Sequence, residues 1–172
     1  MKDIGPVKTC LAIEFHQDLK KHSVFLNQRE YAEQILKRFN MEDYKSVKTP
    51  PEFNAKLEKP AAREENEMKK YPYQSVMGAL LYLAVTTRPD LASSINFLSQ
   101  FNSNYNKTHW KAAKRVLRYL KGTINYGIFY EEGNAKLYAI ADADLGTNMA
   151  DKRSSSNIEE GTQSEDCFTV EH

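Results

Sequence analysis

Apolar positions along the chain switch period several times, and each switch marks an element. In the first 26 residues the period is two. Leu11, Ile13 and Phe15 alternate, the polar run QDLKKHS follows, and Val24 and Leu26 alternate again, which predicts a β hairpin. From Asn27 the spacing becomes helical, with Tyr31, Ile35, Leu36 and Phe39 on one side of NQREYAEQILKRFN. Asn27 with Glu30 three residues on is a capping-box pattern, and Asn40 suits the end of the helix. Residues 41–70 read as a linker. They hold Thr49-Pro50-Pro51, Pro60 and the charged run REENEMKK, and adjacent prolines fit neither a helix interior nor a central strand. A short solvated helix over 61–70 is compatible with that run.

Three further helices are predicted. Tyr73, Val76, Met77, Leu80, Leu81 and Ala84 form one apolar stripe, in which Gly78 would permit a close helix approach. TTRPD opens the next, with Pro89 in the first turn and Leu91, Ile95, Leu98 and Phe101 inward. The third runs from about Thr108 to Lys121 and closes at Gly122, with Trp110, Ala113, Val116, Leu117 and Leu120 as its apolar side. After Gly122 the period returns to two at Ile124, Tyr126, Ile128 and Tyr130, and Leu137 to Ala143 is a second strand candidate. From Gly146 the chain turns polar and serine-rich. From Asn157 it is acidic, with the composition of a disordered tail.

Charge sharpens this picture. The 172 residues carry a net charge of +1, but residues 91–130 hold six basic side chains and no carboxylate, and 131–172 have a net charge of −7. A long stretch without acids points to an anionic partner. Within it Lys107, Lys111, Lys114, Arg118 and Lys121 are spaced 4, 3, 4, 3, with Arg115 beside them. That spacing lines the charges along one side of a helix whose opposite side is apolar. The stripe can meet phosphates, or it can be a solvated face; both readings are open.

Other chemistry is sparse. Asp142 and Asp144 are two apart on a predicted strand and could hold Mg²⁺, but a strand ending in a polar turn is the plainer reading. A two-metal site needs further carboxylates from other elements. The sequence has no P-loop, no GxGxxG and no GxSxG. His109 fits a helix start better than a catalytic base. Cys10 and Cys167 make neither a disulfide framework nor a zinc site, so a reduced, intracellular compartment is expected, cytoplasmic or nuclear. No apolar run is long enough to span a membrane, and the start lacks a signal-peptide core.

Five segments, in order, are shared with a known family: MKDIGPVKTCLAIEF; Tyr31 to Met41 with the following Thr49-Pro50; YPYQSVMGALLYLAVTTRPDLA; HWKAAKRVLRYLKGTINYGIFY; and the strand ending ADAD. With them, over about residues 1–156, the chain resembles the Pol polyprotein of copia-type LTR retrotransposons, from the late part of reverse transcriptase into RNase H. The resemblance, with the composition of the tail, implies an α+β fold in four parts. Residues 1–26 would be the hairpin closing the palm, and 27–122 a thumb-like helical bundle containing the linker 41–70. Residues 123–156 would be the start of an RNase H-like domain, and 157–172 a disordered tail. It implies a nucleic-acid duplex as partner, RNA–DNA or DNA, held weakly and without sequence preference, and no membrane.

The departures bear on activity. The family's YxDD-type polymerase motif does not occur in this chain. Asp142 matches the first RNase H carboxylate, but an ADWAGD-like stretch reads ADLGTN, with Leu145 at the tryptophan position, and DRKSTSGY reads DKRSSSNI. The likeness stops after Ile158, as a frameshift, a splice junction or an early stop would make it. The expectation is therefore a Pol-derived fragment without catalysis of its own and without a cofactor in this chain; Mg²⁺ belongs to the intact parent family. Two alternatives stand beside it: a helical protein–protein module, and part of an active RNA-directed DNA polymerase and RNase H completed in trans by another Pol fragment.

Overall fold

The computed structural model describes residues 5–50 and 71–132, together with the backbone of two strands at 137–144 and 155–162. Strands β1 (Thr9–Cys10), β2 (Ile13–Asp18) and β3 (Ser23–Asn27) are followed by helix α1 (Arg29–Arg38). Helix α2 (Tyr73–Thr86), a 3₁₀ turn at Pro89–Leu91, α3 (Ala92–Ser99) and α4 (Lys107–Gly122) come next. The chain ends in β4 (Gly127–Glu131), β5 (Leu137–Asp144) and β6 (Ser155–Thr162). The architecture is mixed helix and sheet.

The hairpin forms as the alternation predicts. β2 and β3 pair antiparallel with Phe15 opposite Leu26, and Asp18 Oδ1 accepts from the backbone N–H groups of Lys20 and Lys21 to set the turn. Leu11 departs from expectation. It and Ala12 form a two-residue turn between β1 and β2, both at positive φ, and Leu11 is exposed rather than inward.

A larger correction concerns β4. It was expected to open the unit beginning at 123. Instead it pairs antiparallel with β3, Leu26 opposite Ile128 and Asn27 opposite Gly127, and completes a sheet of order β1-β2-β3-β4. The alternating pattern named a strand but could not name its partner. Asn27 stays in β3, so α1 begins one residue later than expected, at a Gln28 N-cap that makes no side-chain cap bond. Gln28 is buried and its Oε1 accepts from the hydroxyls of Thr86 and Thr87, which ties the start of α1 to the end of α2.

Asn40 does close α1. Its φ is +54°, its N–H reaches the Lys37 carbonyl, and the Met41 N–H reaches the Leu36 carbonyl at 2.8 Å. This is a Schellman closure, and it turns the chain so that Met41 is buried.

The core lies among the four helices. Ile35 and Leu36 meet Tyr73, Val76, Met77, Leu80 and Leu83, with Leu91, Ile95 and Leu98 from the second pair and Ala113, Val116, Leu117 and Leu120 from α4. All four residues expected inward after TTRPD are buried. On α2 the expected Leu81 faces outward, 41% exposed, and Leu83 takes the inward place. In the run LLYLA both leucines fit helical spacing, and only the packing against α3 and α4 chooses between them. Gly78 is exposed, and a methyl group there would meet nothing within 4 Å, so it serves no close helix approach.

β5 pairs antiparallel with β6 and places Asp142 opposite Asn157 and Asp144 opposite Ser155. Residues 157–162, expected in a disordered tail, are therefore in a strand. Composition recorded few apolar side chains there, but ladder pairing satisfies backbone groups whatever the side chains are. The rest of the tail, the 61–70 run and the side chains of Asp142 and Asp144 lie outside the described residues.

Candidate nucleic-acid interface

The expected cationic stripe belongs to α4, and the helix is built as its sequence suggests. Asn106 caps it: Oδ1 accepts from the N–H groups of Thr108 and His109, and His109 Nδ1 returns to the Asn106 N–H at 3.1 Å. His109 thus belongs to the helix start. Its ring is fully buried, 4.1 Å centroid to centroid from Phe101, and burial lowers its pKa below the ordinary histidine value. Along the same side Ala113, Val116, Leu117 and Leu120 are fully buried, while Trp110 is half-buried on Tyr71.

With one side of α4 in the core, its basic residues stand on the other. Lys107, Lys111 and Arg115 are exposed; Lys114, Arg118 and Lys121 are half-buried. What half-buries these three is a strap that sequence reasoning missed. Residues 42–49, read as linker, cross the outer flank of the second half of α4. Arg118 Nε donates to the Lys45 carbonyl at 2.6 Å, and Lys121 Nζ donates to the carbonyls of Glu42 and Tyr44. Arg115 donates to the Thr49 hydroxyl at 3.0 Å, and Lys114 Nζ stands 5.9 Å from the centre of the Tyr44 ring.

The strap is held by shape as well. Val47 packs against the core, and its N–H reaches the Arg118 carbonyl. At Gly122, a Cβ would sit 3.1 Å from Ser46 Cβ and 3.2 Å from the Val47 carbonyl, so the glycine lets the strap cross closely here and does not serve as a left-handed cap. The helix ends at a Thr123 cap instead. The one signal in the sequence was Gly122 itself, which fits a C′ position equally well.

Sequence reasoning also missed a buried clamp at the other side of the α4 terminus. Arg88 is 2% exposed. Its Nε and Nη2 grip the two Asp90 oxygens at 2.9 and 2.8 Å, and Nη1 and Nη2 donate to the Thr123 carbonyl and hydroxyl at 2.9 and 2.6 Å. The guanidinium also faces the Tyr119 and Tyr126 rings. Tyr119 donates its hydroxyl to Asp90 Oδ2, and burial together with that carboxylate pushes its pKa up to about 12. The motif TRPD thus carries the fork and its counter-ion two residues apart, locking the α2–α3 turn to the end of α4.

Among the described residues no three His, Cys, Asp or Glu side chains gather as a metal site, and no helix is long and apolar enough to cross a membrane. The cationic face is therefore the chemical feature that these residues offer: fixed positive charge on a rigid helix, suited to phosphate or carboxylate groups.

A sheet joined to a helical core with one cationic outer face defines a mixed α+β unit, and comparison with known proteins supplies its family. No family model and no solved structure matches the chain. It is 36% identical over 159 residues to the retrovirus-related Pol polyprotein from transposon TNT 1-94 of Nicotiana tabacum, a match covering 90% of this chain and 12% of that polyprotein. It is 41% identical over 127 residues to the Pol polyprotein from transposon RE2 of Arabidopsis thaliana, covering 73% of this chain and 8% of the polyprotein. An uncharacterized mitochondrial protein of the same plant is 36% identical over 166 residues, 92% of this chain and 64% of that protein. The chain belongs to the Pol family of copia-type retrotransposons, and it spans only a small part of the polyproteins that it matches.

Proposed function

We propose that this chain is the segment of such a Pol polyprotein that runs from the end of reverse transcriptase into RNase H, with α1 to α4 as the thumb-like bundle. Its own activity is weak, sequence-independent binding of a nucleic-acid duplex, without catalysis. The observation that carries the reading is α4: six basic residues in a 40-residue stretch without a carboxylate, on the side of the helix away from the core. Phosphate contacts of this kind position a protein without reading bases.

The absence of independent catalysis follows from the carboxylates. No YxDD-type motif is present, and where the family has an ADWAGD-like stretch after its first RNase H carboxylate this chain reads ADLGTN. Metal-assisted phosphoryl transfer needs carboxylates that hold both ions. One matched carboxylate, Asp142, would not by itself hold a pair of Mg²⁺ ions.

Fluorescence anisotropy tests the binding. Labelled DNA and RNA–DNA duplexes of unrelated sequence should bind alike, with a Kd of about 10⁻⁴ to 10⁻⁶ M at physiological salt. A clear preference for one sequence, or no binding in that range, would refute the proposal. Primer extension above a no-protein control, or hybrid cleavage that disappears in Asp142→Asn, would refute the catalytic part.

A second reading has its own observation. Leu81 and Val85, one turn apart on α2, are exposed, and Val85 is 71% exposed. They suit a protein-docking face. Apolar docking does not weaken as salt rises, which separates the two readings.

A further inference from the structure

The six basic residues of α4 are not equivalent once the strap is in place. Arg118 and Lys121, at the C-terminal end, direct their donors at strap carbonyls, and the strap residues whose carbonyls Lys121 grips are accompanied by the exposed acids Glu42 and Asp43. That end of the helix is electrically mixed and its cations have fixed protein partners. Further along, the strap contributes charge of the opposite sign. Lys45 and Lys48 are exposed, and between them and on either side the strap is pinned to α4 through the Lys45 carbonyl, Val47 N–H and Thr49 hydroxyl. The strap backbone that carries both lysines therefore runs along α4 from Arg118 to Arg115, on the outer side of the helix.

We infer that the anion-binding surface is composite: Lys45 and Lys48 of the strap join Lys111, Lys114 and Arg115 of α4 in holding the phosphates of a nucleic-acid duplex, while Arg118 and Lys121 are positioning residues that anchor the strap. This rests on the duplex-binding reading above and assigns its contacts. The physical ground is donor economy. A backbone carbonyl satisfies a guanidinium or ammonium donor without carrying a full charge, so Arg118 and Lys121 stabilise the strap but release fewer counterions on meeting a phosphate. Lys45 holds the strap through its backbone carbonyl and Lys48 lies exposed between Val47 and Thr49, which leaves both ammonium groups for the ligand.

The test uses the full chain and a short labelled DNA duplex across a salt series. In the Lys45→Glu/Lys48→Glu variant, affinity should fall at least about tenfold and the log–log salt slope should become shallower by roughly 2, about one per lost phosphate contact. Because both side chains are exposed, its thermal unfolding should match the parent's. In Arg118→Gln/Lys121→Gln, which loosens the strap but keeps its lysines, affinity should fall by less than in the strap variant and the slope should change by less than about 2, while limited proteolysis within 42–49 should accelerate. If the parent binds and the strap variant binds as well, with the same slope, the composite surface is wrong and duplex binding stands. If the parent binds no duplex, both fall. If the parent binds phosphatidylserine vesicles as tightly as the duplex, nucleic acid is the wrong partner for this surface.

Discussion

Replacing Arg88 by Met should be among the costliest single changes in this chain. The methionine fills much of the same space but deletes four hydrogen bonds, two to Asp90 and two to Thr123. Thr123 Oγ1 keeps its bond to the Tyr119 carbonyl, and Asp90 keeps the Tyr119 hydroxyl. The Thr123 carbonyl loses its guanidinium donor, and the carboxylate loses its counter-ion. Breaking a buried pair by removing one partner costs about 3–5 kcal/mol. Asp90 retains 26% of its side-chain exposure and one protein donor, which places the loss at the lower end, about 3 kcal/mol. At roughly 4 °C per kcal/mol for a unit of this size, Tm should drop by about 12 °C. Arg88→Lys should recover only part of this, since one ammonium cannot reach all four acceptors from one position. The assay is two-state thermal or urea unfolding of the parent, both variants and Arg88→Met/Asp90→Leu. The double variant should lose less than the two single changes added together, because it leaves no unpaired buried charge. A Tm shift below about 2 °C for Arg88→Met would mean that water replaces the fork freely, and the clamp would have no structural role.

Three further outcomes follow from local geometry. Gly127→Ala puts a Cβ 2.2 Å from the Leu26 carbonyl, so β4 must shift against β3 and urea unfolding should show a loss of about 1–3 kcal/mol. Asn40→Ala keeps the left-handed closure of α1 at a cost of about 1 kcal/mol, and Asn40→Gly should cost less; chemical denaturation separates them. His109 is held neutral by burial, so its folded pKa lies below the unfolded value of 6.5. The unfolded chain then binds the extra proton as pH falls below about 6.5, and stability should be full above that pH and decline below it. His109→Gln, which keeps a capping-box residue at N3, should remove that part of the pH dependence in a Tm-against-pH series.

What the sequence disclosed, and what it withheld, divides along the range of the interactions. The hairpin, the four helices and most buried positions were legible because alternation and helical spacing are local. Asn40 was legible because few residues accept a positive φ. The Leu81–Leu83 exchange was not, since both leucines satisfy the period. Nor was the partner of β4, 100 residues distant from β3, because an edge strand carries no mark of what it pairs with. The strap was invisible for a similar reason. Its grip on α4 uses backbone carbonyls, which every residue has, and a run of Glu, Asp, Lys and Ser reads as solvated linker. The cationic stripe itself was legible, but not its division into residues that hold the strap and residues turned to solvent. Arg88 was passed over because a single arginine before a proline resembles a helix-start residue until Thr123 is brought next to it.

The central claim is that the cationic side of α4 meets phosphates, and the salt dependence of duplex binding by the unmodified chain tests it most directly. With three to five phosphates neutralised, log Kobs against log salt should be linear with a slope of roughly −3 to −4.5, and the same for unrelated sequences. A slope near zero with binding intact would show that the duplex is held by apolar contact or that the bound state does not involve this face.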